Sequence, residues 1–134
     1  MTRKRFHIPI SIDFAVLILR VFPSMFMLTY GWEKLVKFVS GDWAFADPIG
    51  IGEPISLFLA VLAEFFGSLM VMFGILTRPA LLLLMFTMSV AGFIVHAADP
   101  ISVKEHALTF LVIYLAIFIT GPGRFSIDNR IFSR

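Results

Sequence analysis

Residues 55–76 read ISLFLAVLAEFFGSLMVMFGIL, a run of 22 positions with a single ionisable side chain, Glu64. At about 1.5 Å rise per residue, a helix of this length crosses roughly 30 Å of hydrocarbon. Lipid offers no partner to backbone N–H and C=O groups, so a continuous apolar run reads as a helix. The period-two alternation that a barrel strand requires is missing.

Comparable runs lie on either side, at residues 14–38, 80–98 and 102–120. The breaks between them carry turn chemistry. Residues 40–54 hold Gly41, Asp42, Asp47, Pro48, Gly50, Gly52 and Glu53. Thr77-Arg78-Pro79 makes a tight connection with Thr77 as the expected N-cap, Asp99-Pro100 stops the third run, and Gly121-Pro122-Gly123 stops the fourth.

The composition agrees. Of 134 residues, 59% are hydrophobic and 15% charged, against about 45–50% and about 25% in soluble domains. Sixteen Phe and a mean hydropathy of +0.94 leave too little polar surface to cover a core. The expected fold is an all-α integral membrane protein, a four-transmembrane-helix bundle forming one domain over residues 1–134. Its spans leave no room for a separate soluble catalytic domain.

Charge and sulfur narrow the partners. Eleven Lys and Arg against nine Asp and Glu are scattered along the chain, which speaks against nucleic acid. The expected partners are the lipid bilayer and other membrane subunits or further copies of the chain. Zero Cys excludes dithiol exchange, thiolate metal sites and cysteine-attached haem. The basic start followed by an apolar run resembles a signal peptide, but the run continues past Arg20 without a small-residue cleavage site and is kept as mature sequence. Arg3, Lys4, Arg5, Arg78, Arg124, Arg130 and Arg134 flank one side of the spans, whereas Lys37 and Lys104, with Lys34 at the end of the first span, flank the other. The positive-inside rule then places both termini in the cytoplasm.

Ionisable groups within the spans are expensive and therefore informative: Arg20, Glu33, Lys34, Glu64 and His96. Helical spacing aligns Arg20, Ser24, Met27, Gly31 and Lys34 on the first run, and Ala60, Glu64, Gly67, Ser68 and Val71 on the second. Met85, Ser89, Gly92 and His96 align on the third, and Glu105, Thr109, Val112, Ala116 and Thr120 on the fourth. Together these faces predict a polar pocket opening outward with Glu64 at its floor. Arg20 is expected to reach toward Glu64 as an ion pair or to snorkel to headgroups. Pro23 is a candidate kink beside Arg20.

Structural roles compete for several of these positions. Ser102-Val103-Lys104-Glu105 matches a capping box, Glu33 and Lys34 fit a solvated interface, and Trp32 and Trp43 fit interfacial anchors. His7, His96 and His106 are too far apart for a metal pair on one helix face, so no metal site is expected.

The pattern resembles the DoxX family of small bacterial four-helix membrane proteins over residues 17–128. The resemblance rests on Leu19-Arg20, Gly31-Trp32-Glu33-Lys34, Asp47-Pro48-Ile49-Gly50-Ile51-Gly52, Ala63-Glu64, Gly74-Ile75-Leu76-Thr77-Arg78, Val95-His96 with Asp99-Pro100, Lys104-Glu105 and Gly121-Pro122-Gly123-Arg124-Phe125-Ser126-Ile127-Asp128. The last element is the most specific, and Arg124 is expected to meet headgroups or pair with Asp128. The resemblance implies a bacterial inner-membrane location and, through DoxD-like relatives, a link to quinone-coupled oxidation.

The expected function is an inner-membrane subunit of a redox-linked assembly with an outward-opening site for quinone or a similar lipid-soluble ligand. Ligand-binding candidates are Arg20, Lys34, Glu64, His96 and Glu105. No intrinsic cofactor site is legible, and quinone is the expected bound molecule. The alternatives are a non-catalytic scaffold or accessory subunit and, third, a small-solute carrier.

Overall fold

The computed structural model describes residues 10–132. Arg3, Lys4, Arg5 and Arg134, which enter the charge count, and His7 lie outside the described residues. Among the described residues, four helices are long and apolar enough to cross a membrane: α1 (Ile10–Val39), α2 (Glu53–Phe73), α3 (Thr77–Val95) and α4 (Ile101–Thr120). A short helix, α5 (Ile127–Phe132), follows, and there is no strand among the described residues. Successive long helices run antiparallel. Residues 40–52 therefore lie at one end of the bundle, the loop face, and the 74–76 turn with α5 at the other, the terminal face.

The boundaries shift by a few residues from those expected, each for a local reason. Gly74, at φ +71°, ends α2 early: its N–H reaches the Val71 carbonyl and the Ile75 N–H the Met70 carbonyl. Thr77-Arg78-Pro79 is then the first turn of α3 rather than a connection. Pro23 lies within α1 without interrupting it. The expected capping box does not form. Pro100 occupies the N-cap of α4, so Ser102 already stands inside the helix and has no cap to make.

Two helices loosen locally into π-helical turns, Leu62–Gly67 in α2 and Ala91–Val95 in α3. Such turns recur at functional sites because they widen the helix and re-aim side chains. At the α2 turn, α1 comes within backbone contact distance. A Cβ at Gly31 would stand 2.5 Å from the Phe65 backbone nitrogen, so only glycine admits this approach.

The core is built from Met27 of α1, Val71 of α2, Leu81, Leu84 and Met88 of α3, and Phe110, Tyr114 and Ile117 of α4. The expected inward faces of α1 and α2 are buried, Lys34 only partly. The α4 expectation is reversed. Glu105, Thr109, Val112, Ala116 and Thr120 are all exposed, because the bulkier stripe Ala107, Phe110, Tyr114 and Ile117 fills the bundle instead. On α3, Met85 and Ser89 are half-buried, and the packed stripe is Ala80, Leu81, Leu84 and Met88. Phe22, Phe26, Phe66, Phe73, Phe86 and Phe93 stand on the outside, as a lipid-facing surface requires.

Candidate functional site

The polar residues sort into two clusters at opposite ends of the bundle. At the terminal face, Arg20 is 1% exposed and spends its guanidinium on backbone carbonyls. Nε donates to Val71 O (3.0 Å), Nη2 to Met72 O (2.9 Å), and Nη1 to Pro122 O (2.7 Å) and Phe125 O (3.1 Å). These carbonyls lie at the end of α2 and in the 121–126 turn, where the helical ladder runs out; Val71 O also accepts from the Gly74 N–H, and Arg20 supplies donors to the others. Arg20 therefore neither reaches Glu64 nor snorkels to headgroups. It ties the second helix to the C-terminal segment.

Asp128 completes this lock. Its carboxylate accepts from Leu76 N (2.7 Å), Thr77 N (2.7 Å) and Thr77 Oγ1 (2.6 Å), and its own N–H donates to Gly74 O (2.7 Å). A distant carboxylate thus caps α3 in place of Thr77, and it steadies Leu76, a non-glycine residue at φ 44°. Arg124 pairs with Asp13, not Asp128: its Nε lies 3.4 Å from Asp13 Oδ2 and its N–H donates to Asp13 Oδ1. Gly121 and Gly123, both at positive φ, and Pro122 shape the turn that presents these groups.

Toward the loop face lies a cavity of about 330 Å³, bounded by α2, α3 and α4, with Lys34 reaching in from α1. Lys34 Nζ donates to Glu64 Oε1 at 2.7 Å, and the Glu64 side chain is 5% exposed. Glu64 stands in the π-helical turn of α2, where Ser68 Oγ donates to its carbonyl. The partner of Glu64 is therefore Lys34, which the sequence also allowed to be merely interfacial. Glu33, the neighbouring carboxylate, is exposed on the far side of α1 in a surface groove with Trp32 and Phe65.

Two histidines line the same cavity. His96 Nδ1 lies 2.8 Å from Asp99 Oδ2 just beyond α3. His106, which sequence spacing weighs only as a metal ligand, packs edge-on against Tyr30 (centroids 4.5 Å apart) and Phe110 (4.9 Å). The signal for it was the inward stripe of α4, at whose edge position 106 stands. Glu105, next to it, points away from the cavity and is exposed. Among the described residues no group of three His, Asp or Glu is arranged to hold a metal ion.

The loop roofs the cavity through Phe45, Pro48, Ile49 and Ile51. Asp47 fixes it, accepting from Ile51 N (2.9 Å), Gly52 N (3.0 Å) and Ser56 Oγ (3.0 Å), and so joins the roof to the first turn of α2. At the base of the loop, Lys37 pairs with Asp42 at 2.9 Å, and this hydrogen bond with that from the Ala44 N–H holds the Asp42 carboxyl below its usual range. Of the five ligand candidates, Lys34, Glu64 and His96 meet at the cavity. Arg20 and Glu105 stand outside it.

The DoxX family model matches residues 15–97, which include Arg20, the Lys34–Glu64 pair, Asp47 and His96. The chain belongs to the DoxX family. It is 34% identical over 121 residues to the inner membrane protein YqjF of Escherichia coli (strain K12), covering 87% of this chain and 92% of that protein. It is 28% identical over 127 residues to an uncharacterized protein of Haemophilus influenzae, covering 87% of this chain and 90% of the relative. No solved structure matches it. With four helices of spanning length, this DoxX protein is a multi-pass protein of the bacterial inner membrane. His106 and the 121–128 element lie beyond the span of the family model, and Asp128 nevertheless binds Leu76 and Thr77 inside it.

Proposed function

We propose that this DoxX protein holds the polar head of a membrane quinone in its cavity and acts as the ligand-binding membrane subunit of a redox-linked assembly. The observation that carries the reading is the Lys34–Glu64 pair, set against a cavity large enough for a small ring. Small-molecule sites are mostly apolar with a few convergent polar groups, and about 300 Å³ is the lower end of their range. This cavity fits that description: Leu59, Leu83 and Phe86 supply apolar wall, and Lys34, Glu64, His96 and His106 supply the polar groups.

Their chemistry suits a carbonyl oxygen. An ammonium has three donors, and Glu64 Oε1 engages one of those on Lys34. Glu64 holds the ammonium in position, and the histidines add ring nitrogens able to donate or accept a hydrogen bond. A bound quinone would take up electrons from a partner subunit and protons through the protein. The chain itself has no cysteine sulfur to carry electrons.

The test is a titration of the protein in lipid nanodiscs with decyl-ubiquinone, read by quenching of Trp32 and Trp43. The expected result is saturable binding that weakens tenfold or more in Lys34→Met, since a hydrogen bond to a charged group contributes about 1.5–3 kcal/mol. Quenching that never saturates, or that is the same in the variant, overturns the proposal.

A further inference from the structure

The cavity does not end at its polar groups. Phe86, at the midpoint of the 19-residue α3, lines it and is at the same time 57% exposed on the outside of the bundle. Leu59 of α2 is in the same position, lining the cavity and 36% exposed. At this depth in a spanning bundle the medium outside is hydrocarbon, so between α2 and α3 the cavity wall is one apolar side chain thick. Rotamer changes in exposed side chains take only picoseconds to nanoseconds, so such a wall opens readily. The route from the aqueous side differs. There the roof is the loop carrying Phe45, Pro48, Ile49 and Ile51, closed on itself where the Ile51 and Gly52 N–H groups donate to Asp47 and tied to α2 where Ser56 Oγ donates to the same carboxylate.

Resting on the ligand-site reading above, we infer that the cavity is loaded sideways from the bilayer, between Leu59 and Phe86. Its occupant is an amphiphile whose polar head lies at Lys34 and Glu64 and whose apolar chain trails past these two side chains into lipid. Leu83 and Thr87, which line the cavity beside Phe86, form the sill of this portal. A water-soluble solute has no reason to use a passage whose outer end opens into hydrocarbon. A chain-bearing molecule gains by keeping its tail there, because each CH₂ is held away from water.

The experiment uses the wild-type protein in nanodiscs and a quinone with a photoreactive azide at the end of a decyl chain. After illumination, the labelled peptides are mapped by mass spectrometry, with excess unlabelled decyl-ubiquinone as competitor. The expected result is competitor-sensitive label on the segments holding Leu59 and Leu83–Thr87, and loss of that label when competitor is present. Competitor-sensitive label confined to residues 45–51 means that the chain leaves through the roof; it overturns the lateral portal while leaving the ligand site standing. Label that no competitor displaces overturns both.

Discussion

Asp128 accepts hydrogen bonds from both the backbone N–H and the hydroxyl of Thr77, 51 residues earlier in the chain, at 2.7 and 2.6 Å. A helix start inside a bundle leaves N–H groups unpaired, and this carboxylate supplies their acceptor from another segment. Asp128→Ala is expected to lower stability by about 2 kcal/mol, the upper end of measured cap losses, because the Leu76 N–H loses its acceptor too. Asp128→Asn, which keeps one acceptor oxygen, should lie between the two. Thermal unfolding in mild detergent, followed by tryptophan fluorescence, checks the order.

Arg20 belongs to the same lock, and its replacement separates structure from ligand binding. Arg20→Met takes a donor from one buried and three partly buried carbonyls and is expected to lower stability by about 3 kcal/mol or more. Arg20→Lys should recover little, since one ammonium cannot span the carbonyls of Val71, Met72, Pro122 and Phe125 with the geometry of the guanidinium fork. Whatever folded protein survives should bind decyl-ubiquinone like the wild type. Weaker binding by that folded fraction would place Arg20 back in the ligand site.

The division into a lock and a cavity explains which features were legible in the sequence. The seam Arg20, Ser24, Met27, Gly31 and Lys34 follows from helical period alone, because charges and small residues in a membrane helix turn toward protein. Period could not say which cation meets Glu64. Lys34 does so through a long flexible stem, whereas Arg20 is held by carbonyls from two other segments. The α4 face failed for a different reason. Thr and Ala are tolerated against lipid, so Thr109, Ala116 and Thr120 could be left outside while Phe110 and Tyr114 filled the interior. Asp128 and Asp47 act through backbone N–H groups, and for Asp128 the partners lie in a distant segment. Neither leaves a periodic trace.

Gly31 tests the close approach of α1 to α2 beside the Lys34–Glu64 pair. An added methyl would press on the Phe65 backbone nitrogen and the Glu64 carbonyl carbon, and neither can yield as a flexible side chain would. Gly31→Ala is expected to cost about 1–3 kcal/mol as an overpacked contact. By pushing α1 from α2 it should also separate Lys34 from Glu64 and weaken decyl-ubiquinone binding. A variant of unchanged stability would mean that the two backbones do not meet here.

Orientation is open to direct measurement because the chain has no cysteine of its own. The Lys and Arg distribution predicts that the loop face looks outward and the terminal face toward the cytoplasm. Ser40→Cys should react with a membrane-impermeant maleimide on intact spheroplasts. Arg130→Cys should react only after the membrane is opened, and the reverse pattern would invert the molecule and put the roofed cavity on the cytoplasmic side.

The Lys34–Glu64 pair is the place where packing and ligand binding can be told apart by a double-mutant cycle. Removing one partner strands the other charge in a poorly hydrated site. Exposed pairs contribute up to about 1 kcal/mol, and breaking a buried pair costs about 3–5 kcal/mol. With Glu64 buried and Lys34 partly exposed, Lys34→Met and Glu64→Gln should each cost about 2 kcal/mol, between those limits. The double variant buries no unpaired charge and should regain much of that loss. If the pair serves only packing, decyl-ubiquinone binding should recover along with stability. The ligand reading requires the opposite: a double variant nearly as stable as the wild type in unfolding experiments that still binds the quinone at least tenfold more weakly, because the ammonium that met its oxygen is gone.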